Sequence, residues 1–234
     1  MPQLILIPGL AADAEMWLDQ LAALPPRWRT TVTDVHARYG DIAAMAQALL
    51  QEHAGELVLC GASMGGMVAM EAARQAPQRV RGLALLGTGA RPESALHRRQ
   101  REGAIQMFEQ GRVSEFVRAS ASLAFSREQA GNKALTRRYK DLVLRAGAAQ
   151  WIRQNRAIMD RPDARLHLAQ VRCPTLVLCG ESDLLTPPAL SQEIAALVPG
   201  AELQLLPQCG HMLTMEQPQA VNAALLAWLT RLGR

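Results

Sequence analysis

Six short apolar runs recur along the chain, and most neighbours are separated by about the length of one helix: LILI (4–7), TTVTDV (30–35), ELVLC (56–60), VRGLALL (80–86), TLVLC (175–179) and ELQLL (202–206). Runs of this kind bounded by glycine, proline and aspartate read as strands, and the continuously apolar ones as strands buried on both faces. Helix punctuation fills the intervals. Asp13 can cap a helix that ends before Pro25-Pro26, Asp41 opens one over 41–54 with Gly55 just beyond it, and another spans 64–75 ahead of Pro77. Pro187-Pro188 opens a helix closed before Gly200, and a last helix covers 216–231 with Pro218 in its first turn. This βα rhythm predicts a doubly wound α/β fold with a mainly parallel six-stranded sheet, covered by helices on both faces.

The rhythm stops once. From Arg91 to about Gln170 the chain shows helical patterns near 93–110, 112–124, 127–146 and 148–160 and no strand. The expected organisation is a core of 1–90 and 171–234 with a helical lid, 91–170, inserted after the fourth strand. A chain of 234 residues has room for one large domain and a modest insertion, not for two full domains.

Composition narrows the function classes. Hydrophobic residues make up 49% and charged residues 20%, which excludes a disordered chain. No apolar run approaches the roughly 18 residues of a membrane helix, and MPQLILIPGL enters a strand without a basic n-region or cleavage site. The expectation is a cytoplasmic protein with no membrane partner. Cys60, Cys173, Cys179 and Cys209 form no CxxC pair and read as reduced thiols. With no HxxxH or carboxylate cluster, no metal or other cofactor is expected. A net charge of +4 does not indicate a nucleic-acid partner.

Gly61-Ala62-Ser63-Met64-Gly65-Gly66 joins the third strand to the next helix. A GxSxG pattern alone occurs often by chance, and a plain glycine-rich turn with a capping serine would share it. Between a strand and a helix, however, it allows a tight turn that lifts a serine hydroxyl into the cleft beside the free amides of a helix N-terminus. Serine needs a base to attack, and the base needs an orienting carboxylate. Asp183, in Gly180-Glu181-Ser182-Asp183 after the fifth strand, and His211, in Cys209-Gly210-His211-Met212 after the sixth, occupy the edge where open α/β sheets collect their sites.

Over nearly its whole length the chain resembles the α/β-hydrolase fold serine hydrolases. The match is carried by the PGL stretch after the first strand, GASMGG, GESD with TPP following, and CGHMLTMEQP. The resemblance implies Ser63 as nucleophile, His211 as base and Asp183 as its partner, with oxyanion-hole amides from Leu10 and Met64. It implies hydrolysis of a small-molecule ester, thioester or lactone through an acyl-serine intermediate. Acyltransferases, lyases and receptors that retain the triad share the fold and stand as alternatives. The chain departs from the family's pattern at three points. Pro8-Gly9 stands where His-Gly is common, Ala62 where histidine often precedes the nucleophile, and the N-terminal antiparallel strand pair is absent. Aspartate-based dehalogenases and epoxide hydrolases are disfavoured by Ser63 itself. Cys60 lies on the strand rather than at the turn, and His36, on the same rim, is the second choice of base.

Between 91 and 172 stand 15 arginines and 2 lysines against 8 acidic residues, a balance of +9, while the rest of the chain has 8 basic and 13 acidic residues. Such a lid could attract an anionic substrate through Arg98, Arg99, Arg153 or Arg156, or it could simply be an arginine-rich surface. Trp17, Trp151 and Met212 are candidate substrate contacts. Phe108, Phe116 and Met107 could join them in an acyl pocket, although such residues at helical spacing more often pack a core.

Overall fold

The computed structural model describes residues 2–233. Its strands are β1 (Gln3–Ile7), β2 (Thr31–Val32), β3 (Leu57–Ala62), β4 (Val80–Leu86), β5 (Thr175–Gly180) and β6 (Glu202–Leu206), all paired in parallel in the order β2-β1-β3-β4-β5-β6. β1 therefore lies between β2 and β3. The chain leaves β1 toward one edge and returns on its other side, which makes the carboxyl ends of β1 and β3 a topological switch point, where open α/β sheets place their sites. β2 is shorter than the 30–35 run predicts. It is an edge strand paired at Ile5↔Thr31 and Leu6↔Val32, with the Thr33 amide donating to Leu6 O, and beyond Thr33 the backbone turns into a short helix.

The helices are α1 (Leu18–Ala23), α2 (Val35–Arg38), α3 (Ile42–Glu52), α4 (Met64–Gln75), α5 (Ala95–Glu109), α6 (Val113–Ala124), α7 (Lys133–Met159), α8 (Arg165–Leu168), α9 (Pro188–Leu197), α10 (Leu213–Glu216) and α11 (Pro218–Leu232). Alternation along each strand divides the core. Ile5, Ile7, Leu57, Leu59, Leu83 and Leu85 face α3, α4 and α9, whereas Leu4, Leu6, Val58, Cys60, Ala84 and Leu86 face α1 and α11. Asp41 caps α3 by accepting from the Ala44 amide at 2.7 Å.

Between β4 and β5 lie α5, α6, α7 and α8, and the first three share a small core with Ala11 of the β1–α1 connection. Phe108 stacks on Trp151 at 3.8 Å between centroids, and Phe116 meets both rings edge-on. α7 bends at Gly147, whose φ of +72° is outside the helical range. Its start at Lys133 rather than 127 follows from Asn132, which caps it by accepting from the Leu135 amide.

Much of the basic excess of this segment is spent on ion pairs. Arg145 reaches Asp13 at 3.0 Å and also Glu15, Arg91 reaches Glu193 on α9 at 2.9 Å, and buried Glu93 holds Arg101 and Arg161. Each exposed pair contributes at most about 1 kcal/mol. The pairs with Asp13, Glu15 and Glu193 join the acidic core to the basic helices, whereas those of Glu93 stay within the segment.

Candidate active site

Ser63 is the one residue between β3 and α4, and its φ of +52° with ψ of −116° is a conformation a side chain seldom adopts. The turn is held from both sides. The Ser63 amide donates to Leu86 O at 2.8 Å, and the Ser63 carbonyl accepts from Thr88 Oγ1 at 2.7 Å. The first turn of α4 presses directly on β1, so that a Cβ on Gly65 would lie 2.1 Å from Ile7 O. Gly65→Ala is thus expected to cost about 3 kcal/mol or more, measured as a lowered urea midpoint. Gly103→Ala on α5, where nothing lies within 4 Å, is the comparison and should be neutral or slightly stabilising.

Asp183 and His211 come from the loops after β5 and β6 and meet in a direct bond. His211 Nδ1 donates to Asp183 Oδ2 at 2.8 Å, with the carboxylate fully buried and the imidazole nearly so. Asp183 also accepts from the amides of Leu185 and Thr186 at 2.9 and 2.8 Å and from Thr186 Oγ1 at 2.7 Å. Burial alone would raise its pKa. The neighbouring imidazole and the Thr186 donors outweigh that and hold it below the ordinary carboxylate value. Thr186 escaped the sequence reading, although the TPP after GESD was its signal. Glu216 escaped it too. Its carboxylate accepts from the Gly210 and Ser126 amides, both at 3.1 Å, and braces the histidine loop against the end of α6.

Ser63 adjoins this pair across the end of β4: its amide is bonded to Leu86, and a Cβ on Gly87 would lie 3.3 Å from Asp183 Oδ2 and 3.6 Å from His211 Nδ1. Among the described residues no hydrogen bond joins Ser63 Oγ to His211; such contacts often tighten only with substrate bound. The β1–α1 connection passes close by, since a Cβ on Gly9 would lie 3.3 Å from Ser63 Cβ. Among the described residues neither the Leu10 nor the Met64 amide has an internal acceptor; Met64 directly follows the serine and Leu10 follows Gly9. In general a histidine bonded to a carboxylate can act as a base toward a hydroxyl, and unpaired backbone amides can stabilise an oxyanion.

Other candidates are placed differently. His36 is buried with Nε2 2.8 Å from Ala12 O, and burial lowers its pKa, so it holds a loop. Cys60 is buried within β3, where burial pushes its thiol pKa up. Trp17 and Met212 are packed in the core with α11, and Trp151 in the aromatic cluster that also contains Ala11. Packing explains all three, because apolar rings and thioethers are drawn to the best-buried positions available. Arg98 donates to Met159 O and Asp160, Arg153 to Ala37 O, and Arg156, itself exposed, to Glu109, which leaves Arg99 the member of that set without a partner among the described residues. Among the described residues no cluster of three or more His, Cys, Asp or Glu could hold a metal, and no helix is long and apolar enough to cross a membrane.

A sequence model of the Alpha/beta hydrolase family matches residues 4–224. The curated protein named "Putative carbamate hydrolase RutD" of Escherichia coli (strain K12 / DH10B) is 27% identical over 247 residues, covering 99% of this chain and 92% of its own. A thermophilic esterase from Thermogutta terrifontis, solved with malate bound, superposes with a TM-score of 0.88 at 26% identity over 99% of this chain and 90% of that one. The enol-lactonase from Burkholderia xenovorans LB400 shares the fold, with a TM-score of 0.87 at 23% identity over 98% and 91% of the two chains.

Proposed function

The chain belongs to the alpha/beta hydrolase family, and from that membership we propose that it is a serine hydrolase cleaving a small ester, thioester or lactone. The observation that carries the reading is the 2.8 Å bond between His211 Nδ1 and Asp183 beside the strained Ser63 turn. In the proposed cycle, His211 Nε2 takes the Ser63 proton as Oγ attacks the substrate carbonyl. The oxyanion is met by the Leu10 and Met64 amides. Collapse breaks the bond to the leaving oxygen or sulfur, which receives the proton from His211 and leaves an acyl-Ser63. Water, deprotonated by the same imidazole, then releases the acid and regenerates the serine. Asp183 and Thr186 keep the imidazole in the tautomer with hydrogen on Nδ1. On this reading 1–90 and 171–234 form the catalytic core, and 91–170 is a lid that bounds the substrate.

A second reading, carbamate hydrolysis, is favoured by the name of the RutD relatives. It uses the same acylation step, the serine taking up a carbamoyl group in place of an acyl group. The test is turnover of matched p-nitrophenyl esters, thioesters, lactones and carbamates at fixed enzyme concentration. The expected result is many cycles per site on at least one ester-type substrate. Faster carbamate turnover moves the assignment to the second reading. A single turnover with altered helix stability on every substrate instead fits a receptor, and transfer of the acyl group to an added alcohol fits an acyltransferase. Arg98 and Arg156 are paired with Asp160 and Glu109, and Arg153 donates to Ala37 O, so neutral and carboxylated esters of equal acyl size should differ little in kcat/KM at low salt.

A further inference from the structure

Gln154 lies on the second half of α7, beyond the Gly147 bend, and none of its surface reaches solvent. A carboxamide buried in this way is costly unless both of its ends are bonded. Here both are. Oε1 accepts from the Ala11 amide at 2.8 Å, and Nε2 donates to His36 O at 3.0 Å. The orientation of the amide is fixed by its partners, because a backbone N–H can only donate and a carbonyl only accept. The arrangement closes on itself through His36 Nε2, which lies 2.8 Å from Ala12 O. One side chain thus ties the β1–α1 connection, the segment after β2 and the helices between β4 and β5 together at the carboxyl edge of the sheet.

The backbone it holds is unusual. Ala11 has a φ of +53°, a rotation unfavourable for any residue with a Cβ, and it is buried. Without Gln154 its N–H would be buried with no acceptor. Relaxation of the loop would then re-aim the Leu10 amide one residue away, which has no internal partner among the described residues to hold it. A packing role alone would be met by an apolar side chain of similar volume, which would not need an oxygen on one partner and an N–H on the other.

We infer that Gln154 is a positioning residue for the loop that carries the Leu10 amide, so that α7 sets the geometry of the oxyanion site as well as covering it. The inference rests on the reading of Leu10 as an oxyanion donor. Gln154→Met, of similar volume and without either bond, should lower kcat on p-nitrophenyl acetate by about tenfold to a hundredfold, with KM changed less than about twofold. Amide exchange over residues 10–12 should accelerate in the same variant. Gln154→Glu keeps an acceptor and, once the buried carboxyl takes up a proton, a donor, and should retain at least about a third of wild-type kcat. In the wild type itself, the Ala11 amide should exchange at least about tenfold more slowly than that of Leu10, which tests the bond even if the methionine variant does not fold. Equal exchange of the two amides, or a Gln154→Met enzyme with wild-type kcat, overturns the inference, as does an equal loss in both variants. If the wild type hydrolyses no ester at all, the functional reading fails, and the exchange measurements still decide whether Gln154 holds the loop.

Discussion

Ser63→Ala is expected to remove turnover by about four to six orders of magnitude while leaving thermal unfolding nearly unchanged. The hydroxyl is the bond-forming atom of the proposed cycle, and none of the bonds that hold the turn uses it. Those bonds run through the Ser63 amide, donating to Leu86 O, and the Ser63 carbonyl, accepting from Thr88 Oγ1. Alanine keeps the Cβ, so the backbone strain at φ +52° is carried over rather than released. A fluorophosphonate should label the wild type at one site per chain, identified by peptide mass at Ser63, and should not label the variant. Full activity in Ser63→Ala, or stoichiometric labelling at another residue, would remove the nucleophile assignment.

His211→Ala should be as damaging as the loss of the serine, and the double variant no worse than either single one, because the two act as a unit. Asp183→Asn should fall less far on activity and further on stability. The asparagine can still accept from the Leu185 and Thr186 amides, but it cannot take donors at all four contacts, and it loses the charge that fixes the imidazole tautomer. Leaving such buried donors poorly matched costs about 1–3 kcal/mol, readable as a lowered urea midpoint. The acid limb of stability carries a further signature of this carboxylate. Its pKa is lowered in the folded state, so its contribution is present above the unfolded value of about 4 and is lost as pH falls through the lower folded value. Asp183→Asn should therefore flatten the wild type's loss of stability below about pH 4. A variant with the same acid dependence as the wild type would show that the pair does not form in solution, and additive losses in the Ser63 and His211 double variant would separate the two residues chemically.

The sequence by itself determined the strands and the turn that presents the serine. β4 and β6 coincide with the apolar runs 80–86 and 202–206, and α4 with 64–75, because a period of two or 3.6 residues and punctuation by glycine and proline are local properties. Even the break in α7 at Gly147 falls between the two helical stretches that the periodicity separates, since only glycine enters that conformation easily. What the tertiary structure decided are partnerships across long separations. The shortness of β2 follows from its edge position, and Arg145 and Arg91 of the basic segment turn out to be engaged by Asp13 and Glu193 of the core. Trp17, Trp151 and Met212 are core residues, a fact set by which way each side chain points once the layers are packed. Thr186 beside Asp183, and Gln154 reaching Ala11 across 143 positions, leave no periodic trace, because one well-placed hydrogen bond constrains neither neighbour in the sequence. Local pattern chose the elements. Only the folded chain, by bringing distant donors and acceptors into a buried space where each must be matched, decided which residues hold Asp183, His211 and the Ala11 loop in place.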